Sequence, residues 1–160
     1  MKKILFLCVL AAMFAMPGML FAGEVVSASR VDAYCVRRLL AKHFDNVRID
    51  DEEVLVTQDD TTVRLMILPK VKSISLSVPF ASYDKISRAE MIIYANRFNF
   101  QKRFVRVAVA PNSNGTVVDL YTFYDGGLSE ESLIKAVNVM LVMQESWAKF
   151  VLNGGRDEEE

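Results

Sequence analysis

Apolar and polar residues alternate through the middle of this chain, and that alternation constrains the fold more than any other feature. In the clearest stretch, Ile74, Leu76, Val78 and Phe80 occupy every second position, and serines fill the positions between them as far as Ser77. Successive side chains of a strand point to opposite faces of a sheet. The pattern therefore predicts a strand with one buried face and one polar face.

Shorter segments of the same kind surround this strand. Before it come Val47 with Ile49, Val54 with Val56, and Val63 with Leu65 and Ile67, separated by the acidic turns Asp51-Glu52-Glu53 and Asp59-Asp60. After it, Phe104–Ala110 and Thr116–Tyr124 are rich in β-branched and aromatic residues and flank the turn residues Pro111–Gly115. We expect the early segments to form short strands and the later pair to form a hairpin.

Helical spacing and capping residues predict three helices. The first follows Ser29 and Asp32 and reaches Phe44, the second runs from Ser87 with its capping partner Glu90 to about Asn99, and the third runs from Ser129 to about Leu152. We predict a single α+β domain with the order α-β-β-β-α-β-β-α, in which three strands precede the second helix. Its antiparallel sheet is packed by the helices.

The first 22 residues have the three-part plan of a secretory signal peptide. Lys2 and Lys3 precede an apolar run from Ile4 to Met16, and small Ala22 ends the segment. We predict residues 1–22 as a signal peptide cleaved before Gly23, which makes the protein periplasmic or secreted, with no membrane span after cleavage. The alternative is a retained N-terminal membrane anchor, because residues 4–22 approach the length of about 20 that spans a bilayer.

Charge and cysteine content narrow the function further. The net charge of the 160 residues is −1, and removing the two lysines of the leader leaves 17 basic against 20 acidic residues. This balance argues against a nucleic-acid-binding protein, and we expect no nucleic-acid partner. Export leaves Cys35 as the only cysteine, read as a small apolar helix residue or, alternatively, as the source of an intermolecular disulfide.

No residue pattern indicates catalysis, and we predict no catalytic, cofactor-binding or metal site. His43 is the only histidine and is read as structural or surface, since no G-x-S-x-G pattern accompanies it. The acidic run Asp50–Glu53 lacks the ligand spacing of a calcium loop and is read as a solvated turn. Gly126-Gly127 is read as a structural turn rather than a phosphate cradle.

The predicted third helix is apolar almost all the way round. A helix of this kind is packed on two sides or shares a partner's surface. We therefore expect a homodimer, or contact with a protein partner in the envelope through the second or third helix, with Val139, Leu141, Val142 and Trp147 as interface residues. Residues 153–160 are expected to be an acidic flexible tail.

Most of the chain after the predicted leader resembles the YbjN domain family, most clearly after Ser87. The resemblance covers roughly residues 31–152 and rests on a set of residues that we interpret as fold signatures, namely Asn96, Phe98, Asn99, Arg103, Phe104, Gly126 and Gly127. It implies a fold similar to that of type III secretion chaperones, which commonly form homodimers and bind polypeptides. The resemblance supplies no catalytic residues.

These observations favour an exported, non-enzymatic protein-interaction or regulatory module. A second hypothesis is a small-ligand-binding protein or hydrolase of the bacterial envelope, with a pocket near Arg103, Arg106 and the acidic turns. A third is a structural envelope protein held at the membrane by an uncleaved leader.

Overall fold

The structure is a computed structural model that describes residues 23–156, so the predicted leader and residues 157–160 lie outside the described residues. The strands in this part of the chain are β1 (Val25–Val26), β2 (Asn46–Asp50), β3 (Glu53–Gln58), β4 (Thr61–Leu68), β5 (Ser73–Phe80), β6 (Arg106–Val109), β7 (Thr116–Phe123) and β8 (Leu128–Ser129). The α-helices are α1 (Ala33–Leu40), α2 (Arg88–Gln101) and α3 (Glu130–Leu152), and short 3-10 turns cover Ala28–Arg30 and Pro69–Val71.

The main sheet is antiparallel and has the strand order β2-β3-β4-β5-β7-β6, which confirms the predicted α+β class. The predicted element order is incomplete, because four strands, not three, lie between α1 and α2, and the two-residue strands β1 and β8 were not predicted. Each alternating segment forms a strand of its own. Asp51 and Asp59 adopt left-handed backbone angles (φ of 52° and 51°) in the two-residue connections, which close β2 onto β3 and β3 onto β4.

One face of the sheet carries the core. A cross-strand row joins Ile49, Val54, Leu65, Leu76 and Leu120, and the central three of these residues are fully buried. Buried residues of all three helices belong to the same apolar cluster. The period-two pattern of the sequence therefore marks the face that the helices cover.

The helix starts follow the capping residues. The Ser87 hydroxyl accepts from the Glu90 backbone N–H, and the Glu90 carboxylate accepts from the Ser87 backbone N–H, which completes the predicted capping box of α2. Asp32 accepts from Cys35 N–H at 2.7 Å and caps α1, whereas Ser29 lies in the preceding 3-10 turn.

The ends of the described chain are tied to α3. β1 pairs with β8 just before the helix begins, and Glu130 N–H donates to the Glu24 carbonyl at 2.8 Å. At the other end, Gly155 N–H donates to the Phe150 carbonyl and Gly154 N–H to the Val151 carbonyl. This hydrogen-bonded turn extends the packed part of the chain past the predicted start of the tail at residue 153.

Candidate functional site

An open apolar groove lies along the exposed side of α3, and we call it the α3 groove. It has a volume of about 540 Å³. Its floor follows α3 at helical spacing, through Glu131, Ile134, Lys135, Asn138, Val139, Val142 and Met143, and Phe104 also lines it. Phe104 is 60% exposed and Val142 is 58% exposed. Its volume lies within the range of clefts that bind ligands in proteins.

The opposite side of α3 explains why the groove stays open. Leu133, Val137, Met140 and Trp147 are fully buried against the sheet and α2, so one side of the helix already completes the core. The apolar residues on the remaining side have no partner within residues 23–156 that covers them completely. The apolar residues of α3 therefore form two sets, one that packs in the core and one that lies at the surface.

The predicted interface residues fall on both sides. Val139 and Val142 line the α3 groove, and Leu141 is half-buried against the core. Trp147 is fully buried, and its indole Nε1 donates to Thr116 Oγ1 at 2.9 Å. Trp147 therefore stabilises the core and is not accessible to a partner at this surface.

Two of the signature residues serve the fold, as the sequence indicates. The Phe98 ring lies edge-on to Trp147 and Phe150, at centroid distances of 5.3 and 5.4 Å. The Asn99 amide donates to the Val107 carbonyl at 3.0 Å and accepts from Val107 N–H at 2.6 Å.

Other signature residues are exposed. Phe104 forms part of the α3 groove, Arg103 is exposed beside it, and Asn96 lies at a polar surface pocket near Arg97 and Phe100. Their side chains make no hydrogen bond within the described part of the chain. Phe104 is thus a surface residue as well as a fold signature.

The glycine pair is a structural turn. Gly127 has φ of +111°, and a Cβ atom there would lie 2.9 Å from the Val26 carbonyl oxygen. Gly126 has no such restriction, since its position opens onto space. Glycine is therefore required only at position 127, because β1 approaches the backbone closely there.

An ion cluster that the sequence did not predict holds the N-terminal segment onto α1 and α3. The Glu24 carboxylate accepts from Arg38 Nη1 at 2.7 Å and from Lys42 Nζ at 3.1 Å. These two hydrogen bonds to cations lower the pKa of Glu24 to about 2. Glu130 is 7% exposed and lies 2.9 Å from His43 Nε2 and 3.2 Å from Lys42 Nζ. The hydrogen bond from His43 is the main cause that lowers the pKa of Glu130.

The structure does not assemble the alternative ligand pocket. Arg106 lies on β6 and the acidic turn Asp50–Glu53 joins β2 to β3, at opposite edges of the six-stranded sheet. With about 4.8 Å between strands, these sites are about 20 Å apart. Glu53 pairs instead with Arg64 at 2.8 Å. No group of three or more potential metal ligands occurs in residues 23–156.

Cys35 lies half-buried on α1. Burial raises the pKa of its thiol, which favours the neutral form. Of the helices in the described chain, none combines the length and the hydropathy needed to cross a bilayer.

The fold is that of type III secretion chaperone-like proteins. A chain of the ExsC–ExsE complex superposes with a TM-score of 0.58 at 16% identity, covering 74% of this chain and 96% of the other. YbjN from E. coli gives 0.56 at 12% identity, covering 76% and 88%. The Yersinia pestis type III secretion chaperone SycH, solved with a stable fragment of YscM2, gives 0.50 at 12%, covering 72% and 98%. The predicted resemblance in fold is confirmed.

Sequence comparisons add nothing to these structural ones. The chain matches no protein-family profile, and no curated protein matches it by sequence. At 12–16% identity the similarity defines the fold alone.

Proposed function

We propose that this protein is an exported, non-enzymatic module that binds a polypeptide partner through the α3 groove. The observation that carries the proposal is an exposed apolar groove on a helix whose other side already completes the core. An amphipathic helix that lays its apolar face into a hydrophobic groove is a recurring form of polypeptide recognition. The solved structures of similar fold include complexes with polypeptide partners, which supports the same kind of ligand here.

A pair of matched substitutions tests the groove. Val142 in the α3 groove and Val71 in the turn between β4 and β5 are 58% and 59% exposed, so either can become glutamate without disturbing the core. After brief crosslinking in the native host, mass spectrometry should find the same retained polypeptide with the wild type and with Val71→Glu. It should be lost with Val142→Glu, at an unchanged melting temperature.

Two results would contradict this assignment. Equal retention by Val142→Glu would place the partner elsewhere on the surface. Capture of the protein's own second copy alone would favour self-association or the small-ligand alternative over a partner polypeptide.

Export is the second part of the proposal. The charge and hydropathy plan of residues 1–22 supports it, and cleavage before Gly23 would leave Glu24 with all of its bonds to Arg38, Lys42 and Glu130. Intact-mass measurement on the exported protein should give a chain that begins at Gly23. A mass that includes residues 1–22 would instead support the anchored alternative.

We propose in addition that two copies associate through α2. Ile93 and Phe100 lie seven residues apart, on one side of this helix, and are 49% and 81% exposed. Self-association through α2 leaves the α3 groove available to the partner polypeptide.

A further inference from the structure

We infer that the α3 groove selects a polypeptide segment that carries carboxylates beside its apolar residues. The inference rests on the proposed function and adds the chemistry of the partner. It depends on the charges around the groove rather than on its apolar floor.

Three cations that line the groove or directly precede one of its residues in the chain have no carboxylate partner among the described residues. Lys135 lines the groove, and Lys102 and Arg103 directly precede Phe104 in the chain. None of the three takes part in the ion pairs formed among residues 23–156, which use cations elsewhere, namely Arg38, Lys42, His43, Arg64, Lys72 and Lys149. Glu131 is the only acidic residue that lines the groove, and it makes no ion pair with Lys135.

The shape of the groove complements a helix of modest length. From Glu131 to Met143 the floor spans twelve residue steps of α3, or about 18 Å, which equals about three helical turns of a ligand. An amphipathic helix whose apolar residues enter the groove places its flanking side chains near the rim. Carboxylates at those flanking positions would pair with cations that currently have none.

The same charges disfavour two other occupants. A second copy of this chain docking groove to groove would bring only one lining carboxylate, Glu131, against Lys135, Lys102 and Arg103, so most of these cations would face like charges. An anionic lipid surface would satisfy the charges. However, Ile134, Val139 and Met143 are half-buried, so a flat surface would contact chiefly the exposed Phe104 and Val142.

Two designed peptides test the inference directly. Both carry the same leucine stripe over about four helical turns, and their flanking positions are all glutamate in one and all lysine in the other. Fluorescence anisotropy with the purified protein should give a dissociation constant about tenfold lower for the glutamate peptide, because up to three exposed ion pairs form. Added salt should reduce this preference.

Charge reversal on the protein supplies the matched control. The double variant Lys135→Glu, Arg103→Glu should reverse the preference, whereas Lys85→Glu, an exposed lysine beside a different surface pocket, should leave it unchanged. Val142→Glu should weaken both peptides, and the glutamate peptide more strongly, because it also adds a negative charge to the groove.

The outcomes separate the two proposals. Equal affinity for the two peptides, with both lost in Val142→Glu, would overturn the charge selection and retain the groove as a polypeptide site. Binding of neither peptide would overturn both proposals. Stronger binding to phosphatidylglycerol vesicles than to the glutamate peptide, lost in the double variant, would replace the polypeptide with a lipid surface.

Discussion

At the residue scale, the Asn99 side chain hydrogen-bonds a strand backbone in the way that a neighbouring strand does elsewhere in the sheet. β6 is an edge strand, and the Asn99 amide satisfies both the N–H and the carbonyl of Val107 on it. Exposed edges recruit other chains unless they are covered. The side chain therefore stabilises α2 against β6 and also closes this edge at Val107.

The two asparagines of α2 allow a controlled test. Asn99→Ala leaves two backbone groups of the buried Val107 without a partner, and we expect a loss of about 2 kcal/mol in the free energy of unfolding. Asn96→Ala removes an exposed side chain and should change the free energy of unfolding by less than about 0.5 kcal/mol. Urea denaturation followed by circular dichroism measures both, and equal effects would show that the amide is not what holds β6.

The ion cluster at Glu24 predicts a pH dependence. The folded-state pKa of Glu24, about 2, lies below its ordinary value of 4.5, so its contribution to stability is present above pH 4.5. It is lost as the pH falls from 4.5 towards 2, because the protonated carboxyl releases Arg38 and Lys42. Melting temperatures across this window should fall less steeply for Glu24→Gln than for the wild type. Parallel curves would rule out a contribution from this carboxylate.

At the scale of elements, α3 ends in a turn that demands glycine. Gly155 has φ of +74°, and a Cβ atom there would clash with Cδ1 of the Tyr94 ring. Gly154, with φ of +68°, has open space at the same position. The turn fixes the end of α3 against α2 through this ring.

Comparing the two glycines separates backbone strain from steric conflict. Gly154→Ala should cost about 1 kcal/mol from the left-handed backbone alone. Gly155→Ala should cost at least about twice as much, because the Tyr94 ring must also move. Thermal unfolding of the two variants measures the difference in their stability. Equal losses of stability would mean that the Tyr94 ring moves aside at no cost in free energy.

The elements themselves were largely predictable because their signals are local. The capping box at Ser87 located the start of α2, and the alternation around Leu76 located β5 and its buried face. The count of strands failed in the region of short segments, where Asp51 and Asp59 close separate hairpins within two residues.

The candidate site was less predictable because it depends on contacts between distant segments. The pattern of α3 shows apolar residues on every side, and only packing decides that Trp147 is covered while Val142 is exposed. Glu24 and Glu130 are 106 positions apart, so no local pattern joins them. His43 had no acidic partner nearby in sequence, and the fold supplies Glu130.

At the scale of the whole molecule, the proposed association through α2 makes a measurable prediction. Phe100→Glu places a charge on a side chain that is 81% exposed and should convert a dimer to a folded monomer. Phe123→Glu on β7, at a site 69% exposed, should leave the dimer intact. Light scattering after size exclusion would distinguish these species, and a dimer that survives Phe100→Glu would reject α2 as the interface.

The pairing of β1 with β8 also sets an order of events along the chain. Val25 and Val26 hydrogen-bond with Leu128 and Ser129, so the first strand has no partner until the last quarter of the polypeptide is present. Contacts so distant in sequence close late in folding. On the proposed export route the chain enters its compartment N-terminus first, and the segment beside the cleavage position would still be extended and unpaired when a signal peptidase encounters it. Completion of the fold then pairs the strand just after that junction with β8, so on this route the last pairing of the chain follows the cleavage step.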